Sequence, residues 1–315
     1  MSFAVVFPGQ GSQSVGMLAD LAARDPLVEH TFSEASHVLG YDLWQLAREG
    51  PEEMLGLTEN TQPAMLAAGV AVYRVWRSRG GGLPVAMAGH SLGEYTALVC
   101  AGRLDFGEAI SLVRYRGQLM QRAVPAGEGA MAAVLGLDDA QVAQACSAGA
   151  RGQVVAPINY NCPGQVVIAG EAAAVGRALQ AANELGARRA VMLDVSVPSH
   201  CALMESAAAE LAQRLGTLRI GPGEVPVFHN VDARSREDAD EVRAILIRQL
   251  SEPVRWSDSI RAMAAHGATL FVEMGPGKVL SGLVRRIDRG LQAAACLDPG
   301  SMDDALRESR MEDSE

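Results

Sequence analysis

A chain of 315 residues with 27 basic against 37 acidic side chains carries a formal net charge of −10. That balance excludes a general nucleic-acid binder, whose footprint must be basic. Hydrophobic residues make up 49% of the chain, ample for a large core, but no run approaches the ~20 apolar residues that span a bilayer.

The five cysteines (Cys100, Cys146, Cys162, Cys201 and Cys296) are scattered and never in CxxC spacing, which points to a reducing compartment and no structural metal. The opening MSFAVVFPGQ has neither the basic start nor the long apolar run of a signal peptide. A cytoplasmic protein is expected.

In chain order, residues 3–7 read as a buried strand stopped by Pro8-Gly9, and helical patterns fill much of residues 15–79. The clearest of these is expected to start after Thr61, with Pro63 in its first turn. Residues 85–88 read as a second strand, with helices from Ser91 and over residues 105–122. Strand, helix, strand in this order is the pattern of a parallel α/β sheet. From residue 127 the rhythm changes to strands at 130–135, 154–158, 165–169 and 189–193, with helices at 138–148 and 171–185. This β-α-β-β-α-β order is the ferredoxin-like split arrangement. The expected organisation is therefore a larger α/β unit, residues 1–126 and 197–315, with a small unit of residues 127–196 inserted. The larger unit resumes with helices near 203–215, 239–250 and 257–266, strands at 225–228 and 269–272, and a last helix after Gly275-Pro276-Gly277. The polar tail beyond Pro299 is expected to fray.

Gly89-His90-Ser91-Leu92-Gly93 matches G-x-S-x-G between an expected strand and an expected helix, the context of a nucleophile elbow. Such a turn would lift the Ser91 hydroxyl above the sheet and aim the Leu92 N–H at an oxyanion formed on it. A serine that only caps a helix is the plainer alternative. The nucleophile needs a base. His30 and His37 read as surface residues, His90 should diverge from Ser91 at a tight turn, and His266 suits a helix end. His200 and His229 both follow expected strands, and spacing does not separate them. Pro8–Gln13 follows the first strand at the end where α/β sheets bind ligands, and lacks both the P-loop and the dinucleotide glycine patterns. Arg114 and Arg116, two apart on one helix, cannot both face a pocket, and a solvated arginine is the plain expectation for each.

Taken together, FPGQGSQ (7–13), GHSLGE (89–94), YRGQLMQ (115–121), NYNCPGQVVIAG (159–170) and VPSHC (197–201) resemble the malonyl-CoA:acyl carrier protein transacylases of bacterial type II fatty-acid synthesis over about residues 3–298. The resemblance implies an α/β-hydrolase-like subdomain carrying a ferredoxin-like one. It implies Ser91 as nucleophile, His200 rather than His229 as base, and Gln249 orienting His200 through a carbonyl oxygen. The backbone N–H groups of Gln10 and Leu92 would form the oxyanion hole, and Arg116 would pair with the malonyl carboxylate. It also implies ping-pong transfer from malonyl-CoA to acyl carrier protein, with no metal or redox cofactor; a monomer is expected, although the oligomeric state is not readable from the sequence. Rival readings use the same elbow: a thioesterase, the same transferase serving a polyketide synthase or malonate decarboxylase, or an inactive carrier-binding subunit. For an acidic carrier protein, Lys278, Arg285, Arg286 and Arg289 on the last helix, or Arg188 with Arg189, are the basic docking candidates.

Overall fold

The computed structural model describes residues 2–125, 127–193 and 197–310. Its strands, in chain order, are β1 (Phe3–Phe7), β2 (Ala86–Gly89), β3 (Gly129–Leu135), β4 (Val155–Cys162), β5 (Gln165–Glu171), β6 (Arg189–Met192), β7 (Val227–Phe228), β8 (Leu270–Met274) and β9 (Gln292–Cys296). They form two sheets, in the orders β7-β2-β1-β8-β9 and β4-β5-β3-β6.

The five-stranded sheet is parallel throughout. Helices cover both faces, which is why FAVVF in β1 and LFVEM in β8 are buried at every position rather than alternately. Phe7 pairs with Gly89, so β1 and β2 end level and the loops that follow them start side by side. They are in close contact: a Cβ on Gly9 would come within 2.5 Å of the His90 carbonyl oxygen.

The helix Thr58–Ser78 runs through the core with few exposed positions and packs along the helix Phe106–Ala123. Gly117 lets them approach, since a Cβ there would meet the Glu59 Cα and the Thr58 carbonyl at 2.8 Å. That contact brings Gln62 and Arg116 together. The helix begins earlier than expected, and Pro63 lies inside it rather than in its first turn. The Thr61 hydroxyl donates to the carbonyls of Leu55 (2.5 Å) and Leu57 (3.1 Å), which ties the preceding turn down.

The four-stranded sheet is antiparallel. The helices Asp139–Ala150 and Ala172–Glu184 pack on it around a core that includes Val142, Val166, Ile168 and Val175. Its strand order is that of the expected ferredoxin-like split. Residues 126 and 194–196, at the expected borders of this unit, lie outside the described residues.

Two expectations near the C-terminus are corrected. A fifth parallel strand, β9, follows the helix Val279–Ile287, which is therefore not the last one, and Arg289 lies beyond its end. Within the tail expected to fray, Pro299–Arg310 is a helix, where Met302, Ala305 and Leu306 recur at helical spacing and are buried; residues 311–315 lie outside the described residues. Among the described residues no helix is long and apolar enough to cross a membrane.

Candidate active site

The turn after β2 has the geometry of a nucleophile elbow. Ser91 sits in the left-handed region at φ 52°, and the helix Gly93–Cys100 follows at once. A non-glycine residue held there costs about 1–3 kcal/mol and persists only when its surroundings over-determine it. Here they do. A Cβ on Gly89 would fall 1.8 Å from the Gly93 carbonyl carbon, and one on Gly93 would fall 2.2 Å from the Phe7 oxygen, so both flanking glycines are required.

Buried Asn230 clamps the same turn: its Oδ1 accepts from the Ser91 N–H at 2.7 Å and its Nδ2 donates to the Gly89 carbonyl at 2.7 Å. Glu94, one turn along and fully buried, accepts from the Asn230 N–H at 3.0 Å, from Nε2 of Gln249 at 3.2 Å and from Nδ1 of His229 at 2.8 Å.

The tie between the two histidines is broken by distance. His200 Nε2 lies 2.6 Å from Ser91 Oγ, whereas His229 is engaged with Glu94 behind the elbow. His200 is itself left-handed, at φ 61°, and its Nδ1 lies 2.7 Å from the backbone oxygen of Gln249. A carbonyl only accepts, so Nδ1 carries the proton and Nε2 faces the serine hydroxyl as a bare acceptor. Burial, reinforced by the nearby Arg116 charge, lowers the pKa of His200 to about 3. It is neutral at physiological pH, the state that can take a proton.

Arg116 is 1% exposed, contrary to the plain expectation of a solvated side chain, and its Nη2 lies 3.4 Å from Ser91 Oγ. Its Nη1 donates to Gln62 Oε1 at 2.9 Å and its Nη2 to Gln249 Oε1 at 3.0 Å, while the Nε–H has no partner. Burial lowers its pKa from the ordinary arginine value, but a guanidinium starts high enough to stay charged. Arg114 points elsewhere, donating to the Leu39 carbonyl at 2.9 Å and lying over the Tyr41 ring, so it too is packed rather than solvated.

Ser91, His200, Arg116, Gln10 and Leu92 line a single cavity of about 370 Å³. The backbone N–H groups of Gln10 and Leu92 take no partner among the described residues. The other histidines fall as expected. His90 turns to Asn161 (2.9 Å) and the Trp256 ring, His30 meets Glu34 on the surface, exposed His37 lies in the last turn of its helix, and His266 ends the helix Trp256–Ala265. Asn230, Glu94 and Gln62 were missed by sequence reasoning. The signals for the first two were the Asn after His229 and the Glu closing GHSLGE.

An activated serine, a neutral histidine, two free amides and a buried cation in one cavity can form and discharge an ester whose acyl group carries a negative charge. Comparison with known proteins agrees: the acyl transferase domain family matches residues 4–298, and the chain belongs to it. The malonyl CoA-acyl carrier protein transacylase of Escherichia coli (strain K12) is 57% identical over 304 residues, 96% of this chain and 98% of that protein. The Bacillus subtilis (strain 168) protein of that name is 45% identical over 96% of each chain. Among solved structures, an acyl carrier protein S-malonyltransferase from Vibrio cholerae superposes with a TM-score of 0.95 at 55% identity, covering 97% of this chain and 100% of that one. A malonyl-transacylase in complex with its type II PKS acyl carrier protein gives 0.97 at 55% identity, covering 98% and 100%. This chain is a member of the malonyl CoA-acyl carrier protein transacylase family.

Proposed function

We propose that the chain transfers the malonyl group of malonyl-CoA to the phosphopantetheine thiol of acyl carrier protein through a malonyl ester on Ser91, supplying fatty-acid elongation. The observation that carries the reading is the 2.6 Å contact between Ser91 Oγ and His200 Nε2, with the Arg116 guanidinium 3.4 Å from the same oxygen.

In the first half-reaction Ser91 Oγ attacks the thioester carbonyl as His200 Nε2 takes its proton. The Gln10 and Leu92 N–H groups receive the oxyanion. The C–S bond breaks, and the coenzyme A thiolate leaves with the proton from His200. In the second half-reaction the carrier thiol gives its proton to His200, attacks the ester carbonyl, and Ser91 recovers a proton as it departs. Gln249 orients His200 through its backbone oxygen, and Arg116 holds the malonyl carboxylate. Every group that moves belongs to a substrate, Ser91 or His200, so the reaction asks for no resident cofactor.

All of these residues come from one chain, so the reaction as written needs no residue from a second copy. The net charge of −10 supports a protein rather than a nucleic-acid partner, and a coenzyme A thioester substrate makes the cytoplasm the expected compartment. Malonyl-CoA alone should add one malonyl group to the protein by intact mass, and Ser91→Ala should show none. An adduct that persists in the variant, or maps to a cysteine, would overturn the reading.

A further inference from the structure

Arg116 is buried without a carboxylate. Among the described residues no acidic group comes within ion-pair distance of it, and Glu94, beyond the Gln249 amide, acts on it only through space, although enclosing a guanidinium without a contacting anion is costly. Two neutral carboxamides stand in that place. Gln249 has been assigned a part in the site already; Gln62 has not. Gln62 is fully buried on the helix Thr58–Ser78, its Oε1 accepting from Arg116 Nη1 at 2.9 Å while its Nε2 points at the Met120 sulfur, 3.3 Å away. A guanidinium has donors only, so the oxygen of this amide must face it.

We infer that Gln62 is a specificity-determining positioning residue: with Gln249 it fixes the Arg116 guanidinium without placing a carboxylate against it, so that the fork stays open to the acyl carboxylate. A carboxylate at either place would hold the fork equally well in geometry. It would also cancel the charge, so that an anionic acyl group entering the cavity would meet a neutral pair and a second negative charge. An amide supplies a dipole and no charge. The Met120 contact supports the amide from its other side, and Met120 itself lines the cavity, so the oxygen cannot swing away without disturbing the wall the acyl chain meets. The inference rests on the reading of Arg116 as the partner of the malonyl carboxylate.

The test is acylation of the full chain by malonyl-CoA and by acetyl-CoA, taken as the ratio of the two kcat/KM values. Gln62→Glu keeps length and shape and adds a charge. The ratio should fall about tenfold or more, with the malonyl loss mainly in KM, because the carboxylate is bound before the thioester is attacked. Gln62→Met removes the acceptor without adding charge, and its ratio should lie between wild type and Gln62→Glu. An unchanged ratio in Gln62→Glu, the same ratio in both variants, or equal losses on the two substrates would each overturn the inference. Arg116→Ala, assayed alongside, separates the two failures. If it leaves the ratio unaltered the carboxylate reading itself is wrong; if it lowers the ratio and Gln62→Glu does not, only the role of Gln62 is wrong.

Discussion

Truncating Arg116 to alanine is the most searching test of why this cavity takes a charged acyl group. The side chain is fully enclosed, its Nε–H is unpartnered and its Nη2–H···Oγ contact with Ser91 is long at 3.4 Å. An incoming carboxylate therefore finds a fork already oriented by Gln62 and Gln249, with only a loose contact to the serine to give up. A hydrogen bond to a charged group is worth about 1.5–3 kcal/mol, or about 10- to 150-fold in rate for each one lost. Removing the whole fork, and stranding the carboxylate in a partly dry cavity, should lower malonyl kcat/KM by about 100-fold or more. Acetyl-CoA carries no carboxylate, so the malonyl-to-acetyl ratio should collapse. The assay is thiol release from each coenzyme A thioester with carrier protein as acceptor. Arg114→Ala is the control: it gives up the Tyr41 stack and the bond to Leu39, and should cost stability without moving the ratio. If Arg116→Ala slowed malonyl and acetyl transfer equally, the residue would be structural and the reasoning would fail.

Two further expectations concern the groups around the serine. Because burial and the Arg116 charge hold His200 at about 3, below its ordinary 6.5, the acid limb of malonyl kcat/KM should lie well below pH 6.5; a limb centred near 6.5 would contradict a buried neutral base. The same depression means the unfolded chain binds the proton more readily than the folded one between those values. Stability from this group is therefore present above pH 6.5 and lost as pH falls toward 3, and His200→Gln should flatten that part of a denaturation-versus-pH curve. Asn230→Ala strips the Ser91 N–H and the Gly89 carbonyl of their partners and should destabilise the fold by about 1–3 kcal/mol per orphaned group, with a matching loss of Ser91 acylation; a melting temperature within error of wild type would refute the clamp.

How much of this was legible in the sequence depended on how local the determinant was. The elbow was readable because its signature lies within five residues, two glycines about a serine between a strand and a helix, even though part of what requires it, the Phe7 oxygen and Asn230, is distant in the chain. The ferredoxin-like unit was readable from the order of its short strand-like and helical stretches, β-α-β-β-α-β, with glycines such as Gly136, Gly152, Gly164 and Gly186 between them. His200 and His229 were not separable by spacing, since both follow the sheet. What divides them is the Gln249 carbonyl against the Glu94 carboxyl group, contacts 49 and 135 residues away in the chain. The carboxamide clamp on Arg116 spans separations of 54 and 133 residues and was invisible for the same reason. The C-terminal strand was missed because QAAAC carries no bulky β-former, and its place beside β8 is a matter of tertiary pairing. The last helix was missed although Met302, Ala305 and Leu306 were on view: a short apolar stripe among many charges reads as solvated until a surface is known to receive it.

The orienting group of the base bears on what the site is built to accept. A hydrolase that sets its histidine against Asp or Glu puts a negative charge beside the reaction centre, which stabilises the imidazolium formed as the serine attacks. Here the partner of Nδ1 is a neutral backbone oxygen, and the acidic group nearest the elbow, Glu94, is turned away to Asn230, His229 and the Gln249 side chain. The fixed charge that adjoins the serine is the Arg116 cation, which on its own opposes protonation of His200. That arrangement makes an indifferent base for a neutral acyl group. It improves when a carboxylate settles on Arg116, because the anion cancels the opposing charge and adds one of the helpful sign within the same cavity. The acyl group thus supplies the charge that the histidine's own partner lacks, and this argues for a transferase of anionic acyl units rather than a general thioesterase on the same elbow.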